Sequence, residues 1–314
     1  MLKHRLKERL VLPVIAAPMF LVSSPDMVIE GCKSGIIGSF PLLNARTPGI
    51  LEDWMARISQ ELAEAQEKLP VAPWAVNLIL HRTNRRYETD LELIKKYQPP
   101  IVITSLGNPQ PIVTIVHEYG GLVFSDVIHL THAKKAAKAG IDGLILVCHG
   151  AGGHAGSLNP MAFLGAVKEF WDGITVVAGC ISRGQDILAM EALGADMVYI
   201  GTRLIATSES FASEAYRNML FESNADDLIY TDAFSGIHAN YLIPSIRNAG
   251  LDPDRLQKAE AIDLSFSQAK AWKDIWSAGQ GVGTVKRTAK IADVVSELKE
   301  EYDQAYASLV SMRT

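Results

Sequence analysis

GLILVCHGAGGHAGSLNP, residues 143–160, decides how the rest of the chain is read. Leu144 to Val147 are apolar throughout and rich in branched side chains, which predicts a strand buried on both faces. The strand runs into a glycine-rich loop carrying His154. Gly150, Gly152, Gly153 and Gly156 remove Cβ atoms around that histidine, so backbone can approach a flat ligand. Asn159 followed by Pro160 predicts a helix start, with Asn159 as cap and Pro160 at the first helical position. A histidine on a loop after a buried strand points to chemistry, although a Gly-rich turn with a solvated histidine has the same letters.

Outward from that stretch the same unit repeats. Short apolar strands are predicted at residues 12–17, 35–40, 74–79, 101–105, 121–126, 174–179 and 197–201, which with 144–147 makes eight. Helical patterns separate them. Ser24-Pro25 is a helix start with Gly35 past its end, and Ile50, Trp54, Ile58 and Leu62 line one helix face. Residues 139–146 and 193–200 echo each other, each with a helix-ending Gly, then Asp142 or Asp196, then a strand. Alternating strands and helices require parallel pairing through crossovers. Eight such units predict an α/β fold of the (β/α)8 TIM-barrel type. An open dinucleotide-binding sheet is the weaker reading, because no Gly-x-Gly-x-x-Gly follows the first strand.

After the eighth strand the pattern changes. Residues 206–284 read as helices and loops without buried strands, including helical patterns at 208–221 and 252–276. The last segment is amphipathic, with Ile291, Val295, Leu298 and Tyr302 on one face. The expected division is a barrel of residues 1–205 and 285–314, with 206–284 a helical insert forming a lid over its C-terminal mouth. An insert of this kind serves equally well as a dimerisation element.

The 314 residues are 48% apolar and 21% charged, as in an ordinary globular chain with a sizeable core. A net charge of -5 leaves no basic footprint and argues against nucleic acid. No apolar run approaches the roughly 20 residues that span a bilayer, so no membrane partner is expected. The N-terminal residues show no secretory pattern, and Cys32, Cys148 and Cys180 are odd in number and far apart. Both features predict a cytoplasmic protein without a disulfide framework or a Cys-based zinc site.

In a barrel, function collects at the C-terminal ends of the strands. The ends here are Ala17-Pro18-Met19, Asn77, Thr104-Ser105, Asp126, His149 to His154, Gly179-Cys180 and Gly201-Thr202. The last two pairs follow the seventh and eighth strands, the usual phosphate-binding place of this fold, although tight turns also favour glycine there. Asn77 in an apolar strand needs a partner for its amide, from a ligand or a neighbour. Asp126, Asp142 and Asp196 resemble turn residues, and His149 a solvated one. His81, His117, His129 and His132 have no metal-ligand partners at useful spacing, so no metal is expected. No Ser-His-Asp set or carboxylate pair suggests hydrolysis. Tyr230, Phe234, His238 and Tyr241 are candidates to line the pocket from the insert, with core or surface packing as the alternative.

Ala17-Pro18-Met19, Gly-Gly-His-Ala-Gly at 152–156, Ala178-Gly179, Gly201-Thr202-Arg203 and Ala-Gly-Gln-Gly at 278–281 occur in this order in the nitronate monooxygenases, which the chain resembles from Leu12 to about Thr284. The resemblance implies an FMN-containing (β/α)8 barrel. It implies oxidation of alkyl nitronates, or of nitroalkanes, by O2 to a carbonyl compound and nitrite. By position, Ala17, Pro18 and Met19 would line the flavin, and Asn77 would contact its ring system. Gly179, Cys180, Gly201 and Thr202 would hold the phosphate, and Gln280 would close over the flavin. Ser105, Gly152 and Gly153 fall among the cofactor-binding positions, and His154 would be the active-site histidine. The chain departs from the family at Cys180, where a second glycine is usual. The alternative is an FMN-dependent NAD(P)H reductase of the same fold, acting on a quinone or an enoyl thioester. Such enoyl reductases usually carry a Glu four residues before their histidine, and here that position is Gly150. A homodimer is left open by the resemblance.

Overall fold

The computed structural model describes residues 2–259 and 274–312. Eight parallel strands form one sheet: β1 (Val14–Ala16), β2 (Ser39–Pro41), β3 (Ala75–Ile79), β4 (Ile101–Ser105), β5 (Leu122–Val127), β6 (Gly143–Val147), β8 (Ile174–Ala178) and β9 (Met197–Ile200). The short β7 (Gly153–His154) lies outside this sheet. The order β1-β9-β8-β6-β5-β4-β3-β2 is that of successive right-neighbour pairing around a ring. The ring closes where Ile15 bridges Ile37, with Ile37 N–H donating to Val14 O at 2.9 Å and Ala16 N–H to Ile37 O at 2.8 Å. The (β/α)8 barrel expected from the strand count is therefore the fold.

Period-two alternation sorts each strand into an inner and an outer face. Ile15, Ile37, Ala75, Ile101, Ile103, Phe124, Ile145, Val176 and Met197 fill the barrel interior. The intervening residues, such as Val76, Val102, Val123, Leu144 and Val177, pack against the helices. Leu6, on the helix Leu2–Lys7, joins the interior cluster. The predicted caps form as expected: Ser24 accepts from Met27 N–H, and Asn159 accepts from Met161 N–H at 2.9 Å. Gly35 and Gly140 follow their helices with φ of 83°, a conformation that L side chains avoid. The helix Ile291–Ser311 buries Ile291, Val294, Val295 and Leu298 and packs against the helices Gly184–Ala192 and Pro25–Lys33. It is the barrel's last helix. Gly184 permits that contact, because a Cβ there would collide with the backbone of Leu298 and Tyr302.

Residues 206–284 differ from their expectation. The helix Glu214–Glu222 is present, but two strands, β10 (Leu228–Thr231) and β11 (Ala239–Leu242), form a hairpin, and β11 is fully buried. The other edge of β11 pairs with β7, Ala239 opposite His154 and Asn240 opposite Gly153. A strand of four residues whose partner is two residues of a glycine loop leaves no periodic signal in sequence. Within the stretch read as helix at 252–276, Pro253–Arg255 is a 3-10 turn, and residues 260–273 lie outside the described part.

Candidate active site

The C-terminal ends of the strands surround a cavity of about 1190 Å³. Pockets for drug-sized ligands run to roughly 300–1,000 Å³, so this one has room for a large cofactor together with a small substrate. Its wall includes Ala17, Pro18, Met19, Asn77, Ser105, Gly152, Gly153, His154, Gly179, Cys180, Gly201 and Thr202. Of the positions expected to bind the cofactor or act on substrate, all but Gln280 lie on this wall. Gln280 stands behind the wall formed by its neighbours Gly279 and Gly281. Its N–H donates to Gly150 O at 2.9 Å, and its Oε1 lies 3.5 Å from Cys180 Sγ.

One side of the cavity is polar, because the inner-face parity of three adjacent strands ends in polar residues. Asn77 lies two residues past Ala75, Ser105 two past Ile103 and Asp126 two past Phe124, each on the inward face. Asn77 Nδ2 donates to Ser105 Oγ at 2.7 Å and to Ile103 O at 3.3 Å; Ser105 Oγ donates in turn to Asp126 Oδ2 at 2.6 Å. Neighbours therefore satisfy the Asn77 amide, and its carbonyl oxygen is the group left to serve a ligand. Asp126 Oδ1 is buried with no partner among the described residues. Burial pushes its carboxyl up to about 6, against the lowering effect of the Ser105 hydrogen bond. Asp126 is thus no turn residue. The clue in the sequence was its spacing from Phe124, two residues along the same face. Asp142 and Asp196 do serve turns: Asp142 accepts from Val123 N–H at 2.8 Å and Asp196 from Thr175 N–H at 2.9 Å.

The opposite end is built from backbone. Among the described residues, the N–H groups of Gly179, Cys180 and Gly201 make no hydrogen bond. Gly179 has φ 126°, and a Cβ there would lie 2.8 Å from His149 O. Cys180 adopts the left-handed region itself, at φ 59°. That conformation is one glycine takes without cost, whereas an L side chain pays roughly 1–2 kcal/mol. Gly201 is different: a Cβ there would sit at ordinary distances, 3.5 Å from Met19 Sδ and 3.6 Å from Ala17 Cβ. Neither protein packing nor φ demands glycine at 201, and its bare face opens on the cavity. Thr202 Oγ1 accepts from Gly279 N–H at 2.8 Å and ties this end to the segment after the insert. The N–H groups of Gly179, Cys180 and Gly201 with the Thr202 hydroxyl beside them suit a phosphate, and the polar edge of Asn77 and Ser105 suits a heteroaromatic ring.

Between these ends lies the loop of the opening stretch. Its glycines have mixed reasons. A Cβ on Gly152 would lie 2.7 Å from Gly279 N, and one on Gly156 would lie 2.7 Å from both Ile128 O and Val147 O. Gly153 meets nothing within 4 Å but has φ 68°. The protein's own packing and turns, more than ligand approach, account for them. His154, half-buried at the cavity wall, places Nε2 3.2 Å from Ser235 Oγ. The Ser235 hydroxyl lies 3.1 Å from Ile237 O; donating there, it accepts from Nε2–H, the arrangement in which Nδ1 is the basic nitrogen. Burial lowers His154 to about 4, so the ring is neutral at ordinary pH. His149 is exposed. Tyr230, Phe234, His238 and Tyr241 do not line the cavity. Tyr230 donates to Ala155 O at 2.8 Å and lies against His238, while Phe234 packs edge-on to Tyr241. The insert instead contributes Phe211, Tyr216, Ile237 and Trp276. Among the described residues no cluster of His, Cys, Asp or Glu could hold a metal ion, and no helix is long and apolar enough to cross a membrane.

A parallel barrel with a polar ring-edge, a backbone anion recess and a neutral histidine at its mouth is the architecture of a cofactor-dependent barrel enzyme. Residues 50–301 match the nitronate monooxygenase family. A nitronate monooxygenase of Neurospora crassa is 27% identical, covering 92% of this chain and 88% of its own. One from Paraburkholderia phytofirmans is 25% identical over 95% and 94%. In structure, FabK from Thermotoga maritima aligns with a TM-score of 0.81 at 22% identity, covering 98% of both chains. A nitroalkane oxidase from Streptomyces ansochromogenes aligns at 0.79 and 22%, covering 96% of this chain and 99% of its own. The chain belongs to the nitronate monooxygenase family. It is a flavin-dependent oxidoreductase acting on a small molecule.

Proposed function

We propose that the protein binds FMN and oxidises alkyl nitronates, or the parent nitroalkanes, with O2, giving a carbonyl compound and nitrite. The observation that carries this reading is His154, a neutral imidazole fixed through Ser235 at the wall of a cavity large enough for cofactor and substrate. Bound FMN supplies the electron transfer and the reaction with oxygen. The chain's own residues do the rest. The N–H groups of Gly179, Cys180 and Gly201 hold the phosphate, with the Thr202 hydroxyl beside them. Ala17, Pro18 and Met19 flank the ring, and Asn77 and Ser105 meet its polar edge. His154 Nδ1 takes the proton from the carbon next to the nitro group when the neutral nitroalkane binds. The described parts of the insert, residues 206–259 and 274–284, are seated on the loop of His154 through β11 and border the mouth with Phe211, Tyr216, Ile237 and Trp276. The reading extends to a protein of the cytoplasm; whether two copies associate is a matter for sedimentation.

The reductase alternative has less support. Its glutamate would stand at Gly150, where φ is 82° and a Cβ would run into Cys180 Sγ. Anaerobic mixing of the FMN-loaded protein with propyl-2-nitronate and, separately, with NADH tests the choice. Rapid bleaching of the flavin by nitronate alone supports the oxidase. Rapid bleaching by NADH alone moves the protein to the reductases, and a protein that takes up no FMN overturns the cofactor assignment.

A further inference from the structure

Asp126 is a half-buried acid, its Oδ1 wholly covered, that the reaction above leaves unused. Its Oδ2 is taken by the Ser105 hydroxyl, which is itself fixed by Asn77. Every hydrogen bond in this chain runs toward the carboxyl. A proton on Asp126 therefore belongs on Oδ1, the oxygen without a partner. Across the barrel, the Tyr199 hydroxyl is also buried without a partner among the described residues, and the Asp126 charge is one of the causes that raise it. Both residues line the cavity.

Among the described residues, no cation is hydrogen-bonded or ion-paired to this carboxylate. Strands β4 and β6, on either side of β5, carry no charged residue. The helix Gln110–Glu118 turns His117 to Asp142, at the other end of β5, 2.9 Å away. The helix Leu130–Lys138 brings His132, Lys135 and Lys138 to the cavity wall, but none of them pairs with Asp126, whose hydrogen bond is to Ser105. Tyr199 is a neutral phenol. An added negative charge in the cavity must then be met by a proton, since in a weakly screening interior like charges cannot both persist close together.

We propose that Asp126 takes up a proton at Oδ1 when a flavin bound in this cavity receives an electron pair, so that reduction is coupled to a second proton. The proposal rests on the FMN reading above. The balance is two electrons from the donor and one proton to the ring. One further proton passes from solvent to the carboxylate, forming one O–H bond and breaking none in the protein. Reoxidation by O2 returns the proton. Asp126 is a proton-carrying neighbour of the ring, and its role is to limit the charge that accumulates there.

The test is the pH dependence of the bound FMN's midpoint potential, with dithionite as reductant. Between about pH 6 and 8, the wild type should take up about two protons per electron pair and Asp126→Asn about one. Equal proton numbers in the two proteins overturn the proposal and leave the FMN reading intact. Wild-type protein that binds no FMN overturns both. If Asp126→Asn does not fold or does not hold FMN, difference infrared spectroscopy of the wild type decides. A carboxylic-acid C=O band that appears on reduction and shifts in D2O supports the proposal; its absence overturns it.

Discussion

His154 Nε2 and Ser235 Oγ lie 3.2 Å apart, although 81 residues separate them in the chain. This contact, with the pairing of Ala239 opposite His154, holds the loop of His154 against the insert. The Ser235 Oγ is itself held 3.1 Å from Ile237 O, so the imidazole meets a hydroxyl with its own backbone partner.

His154→Gln should lower nitronate or nitroalkane turnover by about 100-fold or more, the typical contribution of a positioned acid or base, with the flavin spectrum unchanged. Ser235→Ala should give a smaller loss, mostly in kcat. Steady-state kinetics at matched FMN occupancy check both. A Ser235→Ala enzyme as active as the wild type would show that the hydrogen bond does not position the ring.

The pH profile follows from the depressed value of His154. With its pKa at about 4, the base form is present throughout ordinary pH. The kcat/KM for a neutral nitroalkane should therefore stay level down to about pH 5 and fall only near 4, since that profile reports the free enzyme. A requirement for imidazolium would give the reverse, activity confined to acid.

Stability of the flavin-free protein carries two opposed slopes. His154, lowered to about 4, binds its proton more weakly in the folded state than unfolded, so its contribution rises with pH between 4 and the ordinary imidazole value of about 6.5. Asp126, raised to about 6 from 3.8, binds its proton more tightly when folded, so its contribution falls as pH rises through that window. Relative to wild type, His154→Gln should therefore unfold with a stability that declines more steeply from pH 4 to 6, and Asp126→Asn with one that climbs. Urea titrations across that range read the sign directly.

Gly201→Ala should fold normally, because its Cβ meets protein atoms only at 3.5 Å and beyond. If the recess holds phosphate by close approach of backbone, FMN affinity should nonetheless drop by about tenfold or more, and Gly201→Val should bind none. Fluorescence titration with FMN distinguishes this from a packing glycine, which would lose stability and not affinity.

Cys180→Gly should stabilise the protein by up to about 1 kcal/mol, since the residue sits at φ 59° where glycine carries no steric penalty. FMN binding should be kept or improved, because the N–H groups of this turn are unchanged. Thermal unfolding with and without FMN measures both effects.

Sequence alone determined the barrel and the rim of its site. Eight buried strands with helical spacers admit few other architectures, and strand ends in a barrel converge wherever the chain goes between them. That is why Ala17 to Met19, His154, Gly179 and Gly201 were legible as one site before any coordinate. The tertiary structure decided what depends on partners distant in the chain. The hairpin of β10 and β11 takes its last partner from a glycine loop. Ser235 reaches His154 only because that hairpin forms, and Tyr230, Phe234, His238 and Tyr241 turn to its packing instead of the cavity. Asp126 reads as a turn residue until inward parity sets it beside Ser105. Its acidity then comes from burial, a property of the surrounding barrel that no local run of residues specifies.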